Sequence, residues 1–421
     1  IPTGSCGSVC ADSKVVTVAG PTDIVKYTFG TKYADNEGRL LQTETDSPSG
    51  QVLKTITNTY LAETQVGSQV FPSNAGQSLL SNWINPTVGR IRPVASTVIV
   101  QDGDSYTRQA AAFDAFARPV QVIRSSAIAG QQSIQEQTTY FNDLVHWVLG
   151  QVKEVDNLST GELEELNVYN PDATLRSHAR FGETLLSYTY NTAGQLSSFT
   201  DGNGQTTGLI NYYRGIPRLI NYPDGTSQAA TVDDYGDITA VTDQTGHTTG
   251  YSYNGIGRVT GVTYPGGDEV AWLPKTLAYD FVTSAERGVP ANHWRRTTTI
   301  GNGVKVTYFD AMLRPVVSDS AIGSSVQDSV LNNYDAKGQK TFGAYPSASP
   351  LSFTTAPAVA GIKGVKTTYD ALGRVTQTQQ DSELGVLTTS TAYLSGARQQ
   401  VTDPKGNVTT SSYQAFDAPA Y

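Results

Sequence analysis

Tandem repetition constrains this chain more than any single residue does. Each copy of a short unit must build the same supersecondary element and bury its surface against its neighbours. Four consecutive units are plain. Tyr190-Asn191-x-x-Gly194-Gln195 opens the first, Tyr212 opens a variant, Val232-Asp233-x-x-Gly236-Asp237 opens the third, and Tyr253-Asn254-x-x-Gly257-Arg258 opens the fourth, at intervals of 22, 20 and 21 residues. Looser copies include ADNEGRL at 34–40, Phe113-Asp114-x-x-Ala117-Arg118, Phe309-Asp310-x-x-Leu313-Arg314, Tyr334-Asp335-x-x-Gly338-Gln339, Tyr369-Asp370-x-x-Gly373-Arg374 and Phe416-Asp417.

The motif reads as a hairpin turn. Asp or Asn at the first turn position caps the amide two residues on. Two undemanding residues follow, and Gly takes the left-handed position that closes a type I turn with a bulge. Arg then opens the return strand, across the turn from the Tyr that ended the outgoing one. A guanidinium over that phenol ring contributes about 0.5–1 kcal/mol when exposed. Leu313 and Ala117 stand where Gly should be. A left-handed Leu is costly, so those two turns are expected to take another shape. A second turn signal in each unit, such as TDGNG, YPDG, TDQTG, YPGG or TDPKG, marks the opposite end. One unit is therefore two short strands and two turns.

The composition agrees. Charged residues are 16%, Gly numbers 40 and Tyr 23, while Met is single, a vocabulary of strands and turns. Alternation along strands such as VTGVTY (259–264) is weak, so the sheet is expected to have two partly wet faces held by cross-strand Tyr, Thr and Val pairs. Roughly 20 units of 21 residues give up to about 35–40 strands, a ribbon on the order of 170 Å wide at about 4.8 Å per strand. A twisted sheet of that width must coil and enclose a space. The expected fold class is all-β, a long coiled antiparallel sheet of tandem hairpins.

At about 21-residue spacing, Tyr-Asp-x-x-Gly-Arg resembles the YD repeat of the rearrangement-hotspot (Rhs) family. YFNDLVHWVLGQV (140–152), NYYRGIPRLINYPDGT (211–226) and TDPKGNVTTSSYQAFD (402–417) also resemble segments of long bacterial proteins of that kind. Relatives include shell components of insecticidal toxin complexes, wall-associated toxins and teneurins. The resemblance implies a spiralling shell that encloses a toxin polypeptide for delivery, secreted or at the bacterial cell surface, with no enzymatic activity in the shell and no cofactor. It implies as partners the rest of the shell, or a second chain paired through open strand edges, and the enclosed toxin. The family's shell ends in an Asp-Pro-x-Gly-Leu core segment. Asp403-Pro404-Lys405-Gly406-Asn407 lacks the Leu, so the self-cleaving aspartates of that segment have no counterpart to carry over. A surface adhesin or carbohydrate-binding module built from the same repeat is the alternative.

Along the chain, residues 1–24 read as a tail or edge strand and 25–421 as one continuous repeat sheet, most regular at 185–270. The chain begins with Ile1 and has no signal-like apolar stretch at its start, which reads as a piece of a longer polypeptide, with a mature secreted N-terminus as the alternative. SLLSNW (78–83) suggests a helical turn or two before Asn85-Pro86. DLVHWVL (143–149) is expected to pack Trp147 into the wall as an aromatic plug. The segments 265–305 and 343–365 are expected to be long loops on one rim.

Residues that suggest other chemistry also have plainer turn and packing roles. A net charge of −9 and a pI near 5.0 argue against nucleic acid or an anionic membrane as partner. No apolar run approaches a bilayer span. Cys6 and Cys10 can form a small disulfide if Gly7-Ser8-Val9 turns sharply, remain free thiols, or bind a metal with ligands from elsewhere. DGNGQ (201–205) begins like a calcium loop but has Tyr212 where the twelfth-position Glu belongs. His146, His178, His247 and His293 fall in different units. Glu162, Glu164 and Glu165 read as a solvated face. Trp83, Trp147, Trp272 and Trp294 are the candidates for stacking on sugar rings, against wall packing as the plainer role.

Overall fold

The computed structural model describes residues 12–32, 36–62, 65, 69–70, 92–267, 269 and 271–414. The two cysteines, Trp83 and SLLSNW lie outside these residues. Thirty β-strands form one open antiparallel sheet. Every strand pairs with the next in sequence, from β1 (Ser13–Ala19) on β2 (Ile24–Gly30) to β29 (Arg398–Thr402) on β30 (Val408–Ser412). The described residues hold thirty strands against the 35–40 expected of the whole chain; β8 (Ile134–Asp143), β9 (Val148–Asn157) and several others run to ten residues, and insertions separate the later units.

The turns alternate between two rims. Motif turns follow the even-numbered strands and form one rim. At Asn191, the amides of Ala193 and Gln195 donate to Oδ1 at 2.9 and 3.0 Å, and Gly194 N–H returns to Asn191 O at 3.0 Å. Gly194 sits at φ 75° with nothing close to where a side chain would go, so its requirement is conformational alone.

The copies lacking Gly keep this turn, against expectation. Leu313 and Ala117 adopt φ 59° and 60°, and their amides return to Asp310 O and Asp114 O at 3.0 Å each. Both turns carry a brace: Arg314 Nε and Arg118 Nε each donate to the carboxylate four residues earlier at 2.7 Å. These charge-assisted bonds offset a left-handed residue costing about 1–2 kcal/mol. Leu313 is 61% exposed and little packing depends on it. Leu313→Gly is expected to raise stability by about 1 kcal/mol, read by urea denaturation; a loss of that size would contradict the strain.

Among the described residues two places carry a hydrophobic core. The smaller packs Leu61, Ala110 and Phe113 near the motif rim. The larger lies where two insertions fold over β22 (Gly303–Phe309), β23 (Pro315–Ile322) and β24 (Ser325–Tyr334). It joins Val289, Tyr308, Val316 and Val317 with Phe353 alongside. A buried polar node fastens it. Arg287 Nη2 donates to Asp319 Oδ1 at 2.7 Å, Ser329 Oγ donates to the same oxygen at 2.6 Å, and Leu351 N–H donates to Ser329 Oγ at 3.0 Å. Elsewhere most strand residues are half-buried on both faces, as in β17 (Ile238–Thr242). A single layer of this kind is held by its ladder, its turns and its cross-strand pairs rather than by a continuous core.

The insertions correct a second expectation. The stretch 265–305 contains β20 (Lys275–Val282) and β21 (His293–Ile300). The loop between them, 283–292, leaves the motif rim, whereas 264–274 and 345–363 leave the opposite rim. Trp147 corrects a third. It is 71% exposed at φ 58° on the tip of the β8–β9 hairpin. Asp143 caps that tip by accepting the amides of Val145 and His146 at 2.8 and 3.0 Å, which points Trp147 outward instead of into the wall.

Candidate functional site: the motif clamp and the coil seam

The motif arginine does not stack on its own tyrosine. Arg374 lies over Tyr393, 3.9 Å from the ring centroid, rather than over Tyr369. Arg39 lies over Tyr60, Arg118 over Tyr140, Arg258 over Tyr279 and Arg314 over Tyr334, at 4.5–4.9 Å. The reason is directional. At Arg118, Arg314 and Arg374 the Nε is braced on the turn's own first-position aspartate, and the guanidinium projects along the rim toward the next unit.

The tyrosine makes the reciprocal link. Tyr393 OH donates to Val375 O at 3.1 Å, Tyr369 OH to Lys340 O at 2.9 Å, Tyr253 OH to Ile238 O at 2.7 Å and Tyr190 OH to Leu175 O at 2.9 Å. In every case the acceptor is the first residue after the preceding motif turn, which for Tyr190 is the turn Asn170–Thr174. Each clamp thus ties one motif turn to the next along the rim, where the backbone ladder ends. Burial raises the Tyr393, Tyr253 and Tyr190 phenols above their ordinary value, which keeps them neutral donors. Tyr393→Phe is expected to cost about 1 kcal/mol, visible as faster exchange of rim amides in β27 (Val375–Ser382) and β28 (Gly385–Leu394); unchanged exchange would remove the latch.

The rims also meet each other. The turn after β5 (Val94–Gln101), at the opposite rim, reaches motif turns far along the chain. Asp102 accepts a forked pair from Arg374, Nη1 at 2.5 Å and Nη2 at 3.0 Å. Asp104 Oδ2 accepts the amides of Gly396 and Ala397 at 2.6 and 3.2 Å. In the turn after β1, Asp23 pairs with Lys337 at 2.9 Å. The sheet therefore coils until the motif rim of its late strands lies on the opposite rim of its first ones. This seam carries acids on one side and cations or amides on the other. Asp102 shows its electrostatics. Burial pushes its carboxyl up, but the bonds from Arg374 and Gln101 and the Arg374 charge outweigh that, leaving it below the ordinary carboxylate value.

The remaining sequence candidates stay apart. Trp272 is 64% exposed and tilted against Tyr264 at 6.0 Å, Trp294 is half-buried against Phe281 at 5.5 Å, and Trp147 stands alone on its hairpin. Among the described residues, Trp272 and Trp294 each pack on a different neighbouring ring. His247 is exposed in its turn beside Thr245 Oγ1 at 2.6 Å. Among the described residues no three His, Cys, Asp or Glu side chains gather as metal ligands, and no helix is long and apolar enough to cross a membrane. A cavity of about 440 Å³ under the 355–362 segment contains one carboxylate, Asp381, which accepts Gly364 N–H at 2.9 Å.

The seam left no mark a sequence scan could use, because its partners lie some 270 residues or more apart. The clamp did leave one. The interval from each motif Arg to the Tyr it covers is close to one repeat, as in Arg258 to Tyr279 and Arg374 to Tyr393.

Comparison with known proteins adds the following. Residues 232–269 match the RHS Repeat family. The crystal structure of TcdB2-TccC3 aligns over 95% of this chain and 26% of its own, at 12% identity and a TM-score of 0.43. The same pair without its hypervariable C-terminal region aligns over 95% and 28%, at 11% identity and 0.43. The Photorhabdus luminescens Tc holotoxin pore aligns over 95% and 21%, at 11% identity and 0.41. The chain thus spans about a quarter of the length of these chains.

Proposed function

We propose that this RHS-repeat protein is a segment of the wall of a hollow shell, and that the shell holds a toxin polypeptide for delivery outside the producing cell. The observation that supports this best is the seam. A one-layer sheet with two half-wet faces has no interior of its own, and closing rim on rim turns it into a wall. Containment needs no catalytic residue. The wall separates what lies inside from bulk water and proteases, and the clamps and seam hold it shut.

Native mass measurement with identification of every polypeptide present tests the reading. A larger assembly, or a co-purifying polypeptide that resists protease until the wall is unfolded, is the expected result. A lone 45.0 kDa chain that encloses nothing and leaves no chain protected would count against it. In that event a glycan array with the exposed Trp147→Ala variant as comparison would test the adhesin alternative.

A further inference from the structure

Arg258 differs from the braced motif arginines. Arg118, Arg314 and Arg374 each pair with the aspartate four residues earlier, at 2.5, 2.7 and 2.8 Å. At Arg258 that residue is Asn254, which is neutral and whose Oδ1 accepts the backbone amides of Ile256 and Arg258, at 3.2 and 3.0 Å, but no guanidinium N–H. Among the described residues the guanidinium has no hydrogen bond and no ion pair, and its Nε is buried without an acceptor. Yet it is held in place. Its Cζ lies 4.5 Å from the Tyr279 centroid and 5.2 Å from that of Trp294. Phe281 meets Trp294 edge-on at 67° and fixes that ring in turn. A half-buried cation with aromatic support and an empty N–H edge is prepared for an in-plane carboxylate.

We propose that Arg258 is a docking point for an aspartate carried on a hairpin turn of another coil of the same kind of sheet. The chain contains the template. Arg374, on the same rim, takes both oxygens of Asp102 from the two-residue turn Asp102-Gly103, while Asp104 beside it accepts backbone amides of the facing rim. Arg258 occupies the equivalent rim position with no described coil facing it, so it lacks both the carboxylate of its own turn and the one from across a seam. A neutral or basic turn would leave the cation unpaired on contact, which is costly once water is excluded. The site therefore selects an acidic turn. This inference rests on the seam, not on containment, so its failure would leave the shell reading standing.

A backbone-cyclised peptide carrying residues 98–107, with Asp102-Gly103 at its tip, serves as probe. It is titrated into the full chain labelled with ¹⁵N-arginine, and the Arg258 Nε–H signal is assigned as the one missing from Arg258→Lys. The expected result is a saturable shift of that signal. Affinity should fall at least 10-fold when the peptide carries Asp102→Asn, a change that leaves the protein untouched. Equal half-saturation by acetate and by the peptide would mean a generic anion site only and would overturn recognition of a turn. No shift at millimolar peptide, or a shift indifferent to Asp102→Asn, would overturn the proposal outright.

Discussion

Arg374→Ala is expected to open the seam while leaving the repeat sheet folded. The substitution removes the forked pair to Asp102, the brace to Asp370 and the stack on Tyr393 together. Breaking a fully buried pair costs about 3–5 kcal/mol; these side chains are roughly a quarter exposed, so about 2–3 kcal/mol is the reasonable scale. The readout is local. Gly396 and Ala397 amides, which donate to Asp104 across the seam, should exchange about 30–100 times faster, since each 1.4 kcal/mol is tenfold. Arg314→Ala is the control. It breaks the same brace, to Asp310, on a turn that meets no described coil. If both variants accelerate those two amides equally, the seam is not what protects them.

The seam also sets a dependence on pH. The Asp102 carboxyl is depressed in the folded chain. The stability it contributes is therefore fully present above its unfolded pKa of about 3.9, and is lost as pH falls through the lower folded value. Exchange at Gly396 and Ala397 should thus be independent of pH-linked opening near neutrality and should reveal seam opening only in acid. In Arg374→Ala that acid-dependent step should be much reduced.

Gly288→Ala is expected to have the other large effect. Gly288 sits at φ 74°, and an added Cβ would lie 2.3 Å from Phe353 O and 2.8 Å from Phe353 N. The obstacle is backbone, which cannot rotate away. Phe353 N–H already donates to Arg287 O at 2.7 Å, so displacing it also disturbs the Arg287–Asp319 node and uncovers Val289, Val316 and Val317. A cost of about 3–5 kcal/mol is expected from strain and overpacking together. Gly182→Ala separates the two causes. It has a similar φ of 82° with open space around it, so only the left-handed cost of about 1–2 kcal/mol applies. Urea denaturation of the two variants should differ by about 1–4 kcal/mol; equal losses would mean that the insertion does not depend on that contact.

The sequence alone determined the local unit. Asp or Asn, two free residues, Gly and a return strand define a turn through bonds spanning five residues, and Asn191 makes them as its neighbours dictate. Repetition of that unit was enough to specify an all-β meander, because a hairpin's partner is the next strand in the chain. The sequence misled at Leu313 and Ala117, where propensity argued against a left-handed residue and the turn's own hydrogen bonds held one nonetheless, with an Asp–Arg brace alongside. Tertiary structure decided the rest. Which tyrosine an arginine covers depends on where the rim points the guanidinium, and that is set by the register of the strands between them. Which aspartate Arg374 meets depends on how far the sheet twists over more than twenty strands, a sum of small rotations that no single residue encodes. Asp102-Gly103 is an ordinary two-residue turn by sequence. It joins the two rims only because accumulated twist delivers Arg374 to it.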